Sequence, residues 1–159
     1  MKVRLSVGQK PYSGYVNVDP CPVIEQGQEL NTVQSDIRNL DGIVENSQAT
    51  EILAVDVLDY VSANELITVL QNWVIKLRHD GKIVVGGTDP YETAKSYVAG
   101  RIDTVEFNYT VFGNSKQDYS QKSGCITLTE LWQILQNMGL RITKKSMIEN
   151  KMFVEAYRK

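Results

Sequence analysis

Four aspartates and one glycine stand where an α/β protein does its chemistry. Asp19 and Asp56 end or follow apolar, strand-like runs, Asp36 closes a shorter one, Asp89 comes soon after another, and Gly8 ends the first. A carboxylate there can accept hydrogen bonds from a polar ligand or take a proton from a nucleophile. Asp56 precedes Val57 and Leu58, at the top edge of a sheet, and reads either as a base or as a cap on neighbouring backbone. Asp89 precedes Pro90 and Glu92, the pattern of a helix N-cap, with a catalytic base as its second reading. Asp59 reads as a turn residue. Cys21 and Cys125 are far apart, and His79, the one histidine, makes no zinc pattern with them. No metal site is expected.

The elements that must position these residues follow from periodicity. Residues 3–7 alternate apolar and polar and stop at Gly8, 9–14 form a loop, and 15–19 make a second strand ended by Pro20. A short third strand falls within 32–37, and 51–57 is β-branched and apolar like a buried parallel strand. Leu66, Leu70, Trp73, Val74 and Leu77 then share one helix face, with Ser62 and Glu65 as a capping box. Residues 82–86 are strand-like again. Asp89 starts a second helix. Thr127 and Glu130 box a third, whose stripe of Leu128, Leu131, Trp132, Leu135 and Met138 stops at Gly139. Tyr109, Phe112 and Tyr119 fall in a stretch with Gly and Ser that reads as a loop, its aromatics serving packing first and closure over a ligand second. Runs 140–147 and 152–157 suggest an antiparallel pair.

Alternating strands and amphipathic helices predict one α/β domain over 1–159. Its sheet is Rossmann-like, doubly wound and mostly parallel, with a C-terminal antiparallel strand pair and helices on both faces. Ligands of such sheets bind beyond the carboxyl ends of the strands. That rule selects residues 6–12, Asp19, Asp36, 56–60 and 86–89. The net charge of -2 disfavours a nucleic-acid binder working through bulk charge. The basic tail of Lys144, Lys145, Lys151, Arg158 and Lys159 is interrupted by Glu149 and Glu155. No apolar run approaches the ~20 residues of a membrane span, and the N-terminus enters a strand pattern, not a signal peptide. A soluble, cytoplasmic protein with a small-molecule substrate is expected, and a homo-oligomer stays open.

The turn Ser6-Val7-Gly8 leads through a short loop into Gly14-Tyr15-Val16-Asn17-Val18-Asp19. Later come a Val-Leu-acid turn at 57–59, a long helix, a Gly-initiated strand, and the segments 112–114 and 122–124 running into 127–131. In this order they resemble the class I S-adenosylmethionine-dependent methyltransferases, above all a small bacterial and phage-type group, over most of the chain. The resemblance implies S-adenosylmethionine as cofactor. Ser6 and Gly8 would lie beneath its methionine part, and Asp19 would accept from both ribose hydroxyls, at about 1.5–3 kcal/mol per charged hydrogen bond. Asp36 and the Ile37 backbone would face the adenine amino group, with Val55 and Asp56 near the sulfonium.

The sequence departs from the group at four positions. Ser6 stands in place of a glycine, and Asp56, Tyr60 and Gln121 in place of histidines. The implied activity is methyl transfer to an oxygen or nitrogen of a small molecule or saccharide, with Asp56 or Asp89 as base. Its alternative is a catalytically inactive relative that binds or scaffolds. A dinucleotide-binding domain shares an acid after the second strand, but the first loop is too short for Gly-x-Gly-x-x-Gly opening a helix.

Overall fold

The alternating runs all become strands. The computed structural model describes residues 1–24, 31–114 and 121–159. Its strands are β1 (Lys2–Leu5), β2 (Val16–Asp19), β3 (Thr32–Gln34), β4 (Ala49–Ala54), β5 (Leu77–Thr88), β6 (Leu140–Ile148) and β7 (Lys151–Arg158). They form one sheet in the order β3-β2-β1-β4-β5-β7-β6. β1 to β5 are parallel, and β7 runs antiparallel to both β5 and β6. The winding direction reverses between β1 and β4, which makes their carboxyl ends the switch point. The helices are α1 (Leu66–Lys76), α2 (Pro90–Val98), α3 (Thr104–Phe112) and α4 (Leu128–Asn137).

Register decides which side chains share a face. Val3 lies opposite Val16 and Ile52, Ile52 opposite Ile83, and Ile83 opposite Ala156. Val16 is half-buried, whereas Val3, Ile52, Ile83 and Ala156 with Leu5, Val18, Ala54, Val85 and Val154 make a fully buried face, joined in one core with Leu70 and Trp73 of α1 and Leu131 and Leu135 of α4. Each buried valine, leucine or isoleucine among them contributes about 1.5–3 kcal/mol of transfer free energy.

The opposite face differs from the expected helical cover. Residues 6–15 join β1 to β2 without a helix, so Leu53, Val84, Phe153 and Tyr157 remain half-buried. Long cations cover the rings instead. Arg4 stacks 3.9 Å from the Tyr12 ring centroid, Arg141 lies 5.4 Å from Tyr157, Lys144 5.5 Å from Phe153 and Lys2 5.6 Å from Tyr15. Aliphatic stems cover apolar surface while their charged heads stay wet. At the centre of this face Lys82 pairs with Glu51 at 3.1 Å, and the Tyr15 hydroxyl donates to the same carboxylate.

Two local expectations are corrected. The stretch with Tyr109 and Phe112 is the helix α3, started by Asp103 accepting from the Glu106 amide; Tyr119 lies outside the described residues. At α1 the Ser62 hydroxyl donates to the Glu65 carboxylate, so no side chain caps the helix. The box at Thr127 and Glu130 is complete. Among the described residues no helix is long and apolar enough to cross a membrane.

Tyr15 gives this face a pH signature. Its hydrogen bond to Glu51, then burial and the Glu51 charge, push the hydroxyl from 10.0 up to about 12. A folded-state value raised above the unfolded one gives stability that is complete below pH 10 and lost as pH rises toward 12. Urea midpoints of the native chain should therefore fall more steeply across that window than those of Tyr15→Phe. Parallel curves would contradict the bond.

Candidate ligand site at the carboxyl ends of the strands

Three carboxylates at this end of the sheet are almost entirely out of water: Asp19, Asp59 and Asp89 are 1%, 2% and 3% exposed. Each is matched with donors. Asp19 Oδ1 accepts from the Gly8 amide at 2.9 Å and the Cys21 amide at 2.8 Å. Its Oδ2 accepts from the Ser6 hydroxyl at 2.8 Å and the Gln9 amide at 3.3 Å. A carboxylate offers about four lone-pair sites, so the Asp19 carboxylate is saturated, by three donors of the loop that follows β1 and by Cys21 after β2. Arg4 completes the anchor, donating to Ser6 Oγ at 3.2 Å, Gln9 Oε1 at 2.7 Å and the Lys10 carbonyl at 2.9 Å. Ser6 thus bridges a buried cation and a buried anion, a role no glycine could fill. Gly8 turns the loop at φ 65°, where a Cβ is disfavoured.

Asp89 is a cap at both of its oxygens. Oδ1 accepts from the Glu92 amide in the first turn of α2 at 3.0 Å, and Oδ2 from Leu128, the first residue of α4, at 2.8 Å. The base reading of Asp89 is corrected accordingly. Asp59 is corrected in the other direction, from turn residue to hub. Its carboxylate accepts from the Thr88 amide and hydroxyl, both at 2.7 Å, and pairs with Lys122 at 2.9 Å. Its main-chain oxygen accepts from Ser123 at 2.6 Å and Gly124 at 3.2 Å. The hub also fixes Gly87, whose Cβ would lie 2.8 Å from Asp59 Oδ1.

Two cavities flank the segment 121–123. The first, about 430 Å³, lies over the ends of β1, β2 and β3 between Val7, Gln34, Asp36, Ile37, Arg38 and Tyr60. Gln121 and Ser123 line it as well. Asp36 and Arg38 form a forked pair, with Nη2 to Oδ2 at 2.7 Å and Nε to both oxygens at 3.0 Å. These bonds hold the Asp36 carboxyl below its ordinary value against the opposing effect of burial. The Ile37 carbonyl accepts from the Trp73 indole at 2.8 Å, which ties this corner to α1. Burial, then the charges of Asp59 and Asp56, push the Tyr60 hydroxyl up.

The second cavity, about 440 Å³, lies beyond β5 and is lined by Thr88, Glu106, Tyr109, Lys122, Asn150 and Lys151. Asp56 lines neither cavity but acts on a wall residue of each. It follows β4 at φ 61°, a left-handed conformation that aspartate tolerates better than most residues. Its Oδ1 lies 3.0 Å from Lys151 Nζ in the second cavity, and its charge acts on Tyr60 in the first. Val55 sits half-buried beside it.

The predicted residues therefore separate by environment. Asp36 and Ile37 line the first cavity, and Asp56 pairs with Lys151 in the wall of the second. Ser6, Gly8 and Asp19 form the support under the loop, and Val7 between them lines the cavity. Sequence reasoning missed Arg38, Tyr60 as a wall and Lys122. The Arg38 signal was an acid–base pair two residues apart; Lys122 carried none. Among the described residues no group of His, Cys, Asp and Glu could hold a metal ion.

No protein-family profile matches the sequence, and no curated protein matches it. Solved structures do. An S-adenosylmethionine-dependent methyltransferase of Mesorhizobium loti has a TM-score of 0.65 at 12% identity, over 98% of this chain and 90% of its own. The 1,6-didemethyltoxoflavin-N1-methyltransferase of Burkholderia thailandensis, with bound 1,6-didemethyltoxoflavin and S-adenosylhomocysteine, gives 0.60 at 12%, over 99% and 71%. A structure of the complex between the Haloferax volcanii Trm112 methyltransferase activator and a methyltransferase gives 0.64 at 9%, over 98% and 81%. At these identities the likeness concerns the fold alone, which this chain shares with those methyltransferases.

Asp19→Ala strips the acceptor from three backbone amides and a buried hydroxyl, and should cost about 3 kcal/mol or more in urea unfolding. Asp36→Ala, at a solvent-exposed pair, should cost less than about 1 kcal/mol. Equal costs would show that the Asp19 network is not the anchor of the loop.

Proposed function

We propose that the chain is an S-adenosylmethionine-dependent methyltransferase acting on a small molecule. One observation carries the reading: the first cavity lies at the switch-point end of this sheet, with Asp36 and Ile37 in its wall. Its volume falls within the range of about 300–1,000 Å³ usual for small-molecule sites. The residues present fit the cofactor. Asp36, kept charged by Arg38, supplies an acceptor for an amino group beside the Ile37 backbone. Tyr60 offers a wall for a ring, and Val7 with Gly8 a close backbone approach. Asp19 acts one step behind, holding the Gly8 and Gln9 amides in place. When bound, S-adenosylmethionine supplies a methyl group on a positively charged sulfonium.

The second cavity takes the acceptor. Asp56, beside Lys151 of that cavity, accepts the proton of the attacking oxygen or nitrogen, and Lys151 orients its carboxylate. Placement contributes most of the acceleration in such a transfer, because the reacting atoms must come in line at about 3 Å. The Burkholderia thailandensis enzyme, with its small-molecule ligand and S-adenosylhomocysteine, supports the reading by fold alone. The Haloferax volcanii complex raises a partner protein as a further expectation.

A second reading is a binding protein without turnover. The saturation of Asp19 favours it, because the ribose loses its usual carboxylate partner. Calorimetric titration with S-adenosylhomocysteine bears on both readings. Micromolar binding is expected, weakened about tenfold in Asp36→Ala, as for the loss of one hydrogen bond to a charged group. Absence of binding by a folded sample would remove the methyltransferase reading.

A further inference from the structure

α2 and α3 are weakly seated. α2 buries only Thr93, and α3 buries no residue. The two helices hold one another through Tyr97 and Phe107, whose ring centroids are 4.9 Å apart, and through the Tyr97 and Thr104 hydroxyls at 3.1 Å. Nine-residue helices of this kind are marginal without tertiary contacts. Yet α3 forms a wall of the second cavity through Glu106 and Tyr109.

The Lys122 ammonium lies where that wall meets the sheet. Its three N–H donors have three partners: Asp59 Oδ2 at 2.9 Å, Thr88 Oγ1 at 3.2 Å and the Thr110 carbonyl at 2.8 Å. The first belongs to the turn after β4, the second ends β5 and the third is in the last turn of α3. The backbone supports the same junction, with the Lys122 amide donating to the Phe112 carbonyl at 3.0 Å and Gly113 bridging to Gln121. Asp59 in turn receives the Ser123 and Gly124 amides. One side chain thus joins the sheet, the late segment and α3.

We propose that Lys122 is the positioning residue of the second cavity. Its ammonium latches α3 and residues 121–124 to the end of the sheet, and so sets the space in which an acceptor sits. The assignment of that space to an acceptor rests on the methyltransferase reading; the latch itself does not. Lys122 acts through the wall it fixes, not by contact with a reacting atom.

Amide hydrogen exchange tests it. Lys122→Met alone leaves the buried Asp59 without its cation and endangers folding, so the informative variant is Lys122→Met with Asp59→Asn, in which neither charge remains. Exchange at residues 110–113 and 122–124 should rise about tenfold or more while β1, β4 and α4 keep their protection. Lys122→Arg, which retains the pairing charge, should stay within about threefold of the native chain. Unchanged exchange in the double variant, or a uniform rise across the whole fold, would overturn the latch. Should the double variant not fold, native-state exchange decides. The latch predicts that the 110–113 and 122–124 amides open together with one denaturant dependence, and independent opening contradicts it. S-adenosylhomocysteine binding by the native chain, measured alongside, reports on the methyltransferase reading separately.

Discussion

A carboxylate removed from water keeps its place only where donors replace the water it has lost. At the carboxyl end of this sheet three carboxylates meet that condition, and the architecture of the site follows from how they do so. Asp19 gathers the loop after β1, Asp59 gathers the end of β5 and the late segment, and Asp89 gathers the first turns of α2 and α4. Nearly all of the donors are backbone amides, hydroxyls or a lysine from segments distant in sequence. The loops around the two cavities are thus fixed from beneath. The acids outside this framework include Asp36 in the wall of the first cavity and Glu106 in the wall of the second, with Asp56 paired to Lys151.

The one-sided helical cover has the same origin. A chain that goes from β1 to β2 in a single loop has no helix to lay over that face of the sheet. The loop must then be stabilised by other means, and the Arg4–Ser6–Asp19 network with the Tyr12 stack supplies them. The first cavity consequently opens at the rim of a thin structure. Exposed electrostatic contacts there are weaker than in a closed pocket, which makes the Arg38 pairing of Asp36 and the ring of Tyr60 the more important. Shape, not charge, separates the two cavities, because the ridge at 121–123 rests on Asp59.

Much of this was legible in the sequence. Alternation at 3–7 and the apolar, β-branched run at 51–57 located β1 and β4, and the stripes behind Thr127 and around Trp73 located α4 and α1, because burial imposes those patterns. The positions of Asp19, Asp36 and Asp56 at strand ends were also legible. What the side chains do there was not. An aspartate after a strand has the same local signature whether it meets a ligand or a backbone amide, and only the returning loop decides. α3 escaped notice because Val105, Phe107, Tyr109 and Phe112 make no buried stripe and are poor helix formers. The Asp103 cap with Glu106 three residues on was the available signal. The hub at Asp59 joins residues 59, 88 and 122, and no spacing rule reaches across such distances.

We propose that the space over β1, β2 and β3, walled by Asp36, Ile37 and Tyr60, is a nucleoside-binding site standing on the Asp19 network. A crystal structure of the native chain with S-adenosylhomocysteine tests it most directly. The adenosine is expected against Asp36 and Tyr60, with Asp19 still bonded to Ser6, Gly8, Gln9 and Cys21. A ligand bound elsewhere, or Asp19 released from its loop to hold the ribose, would contradict it.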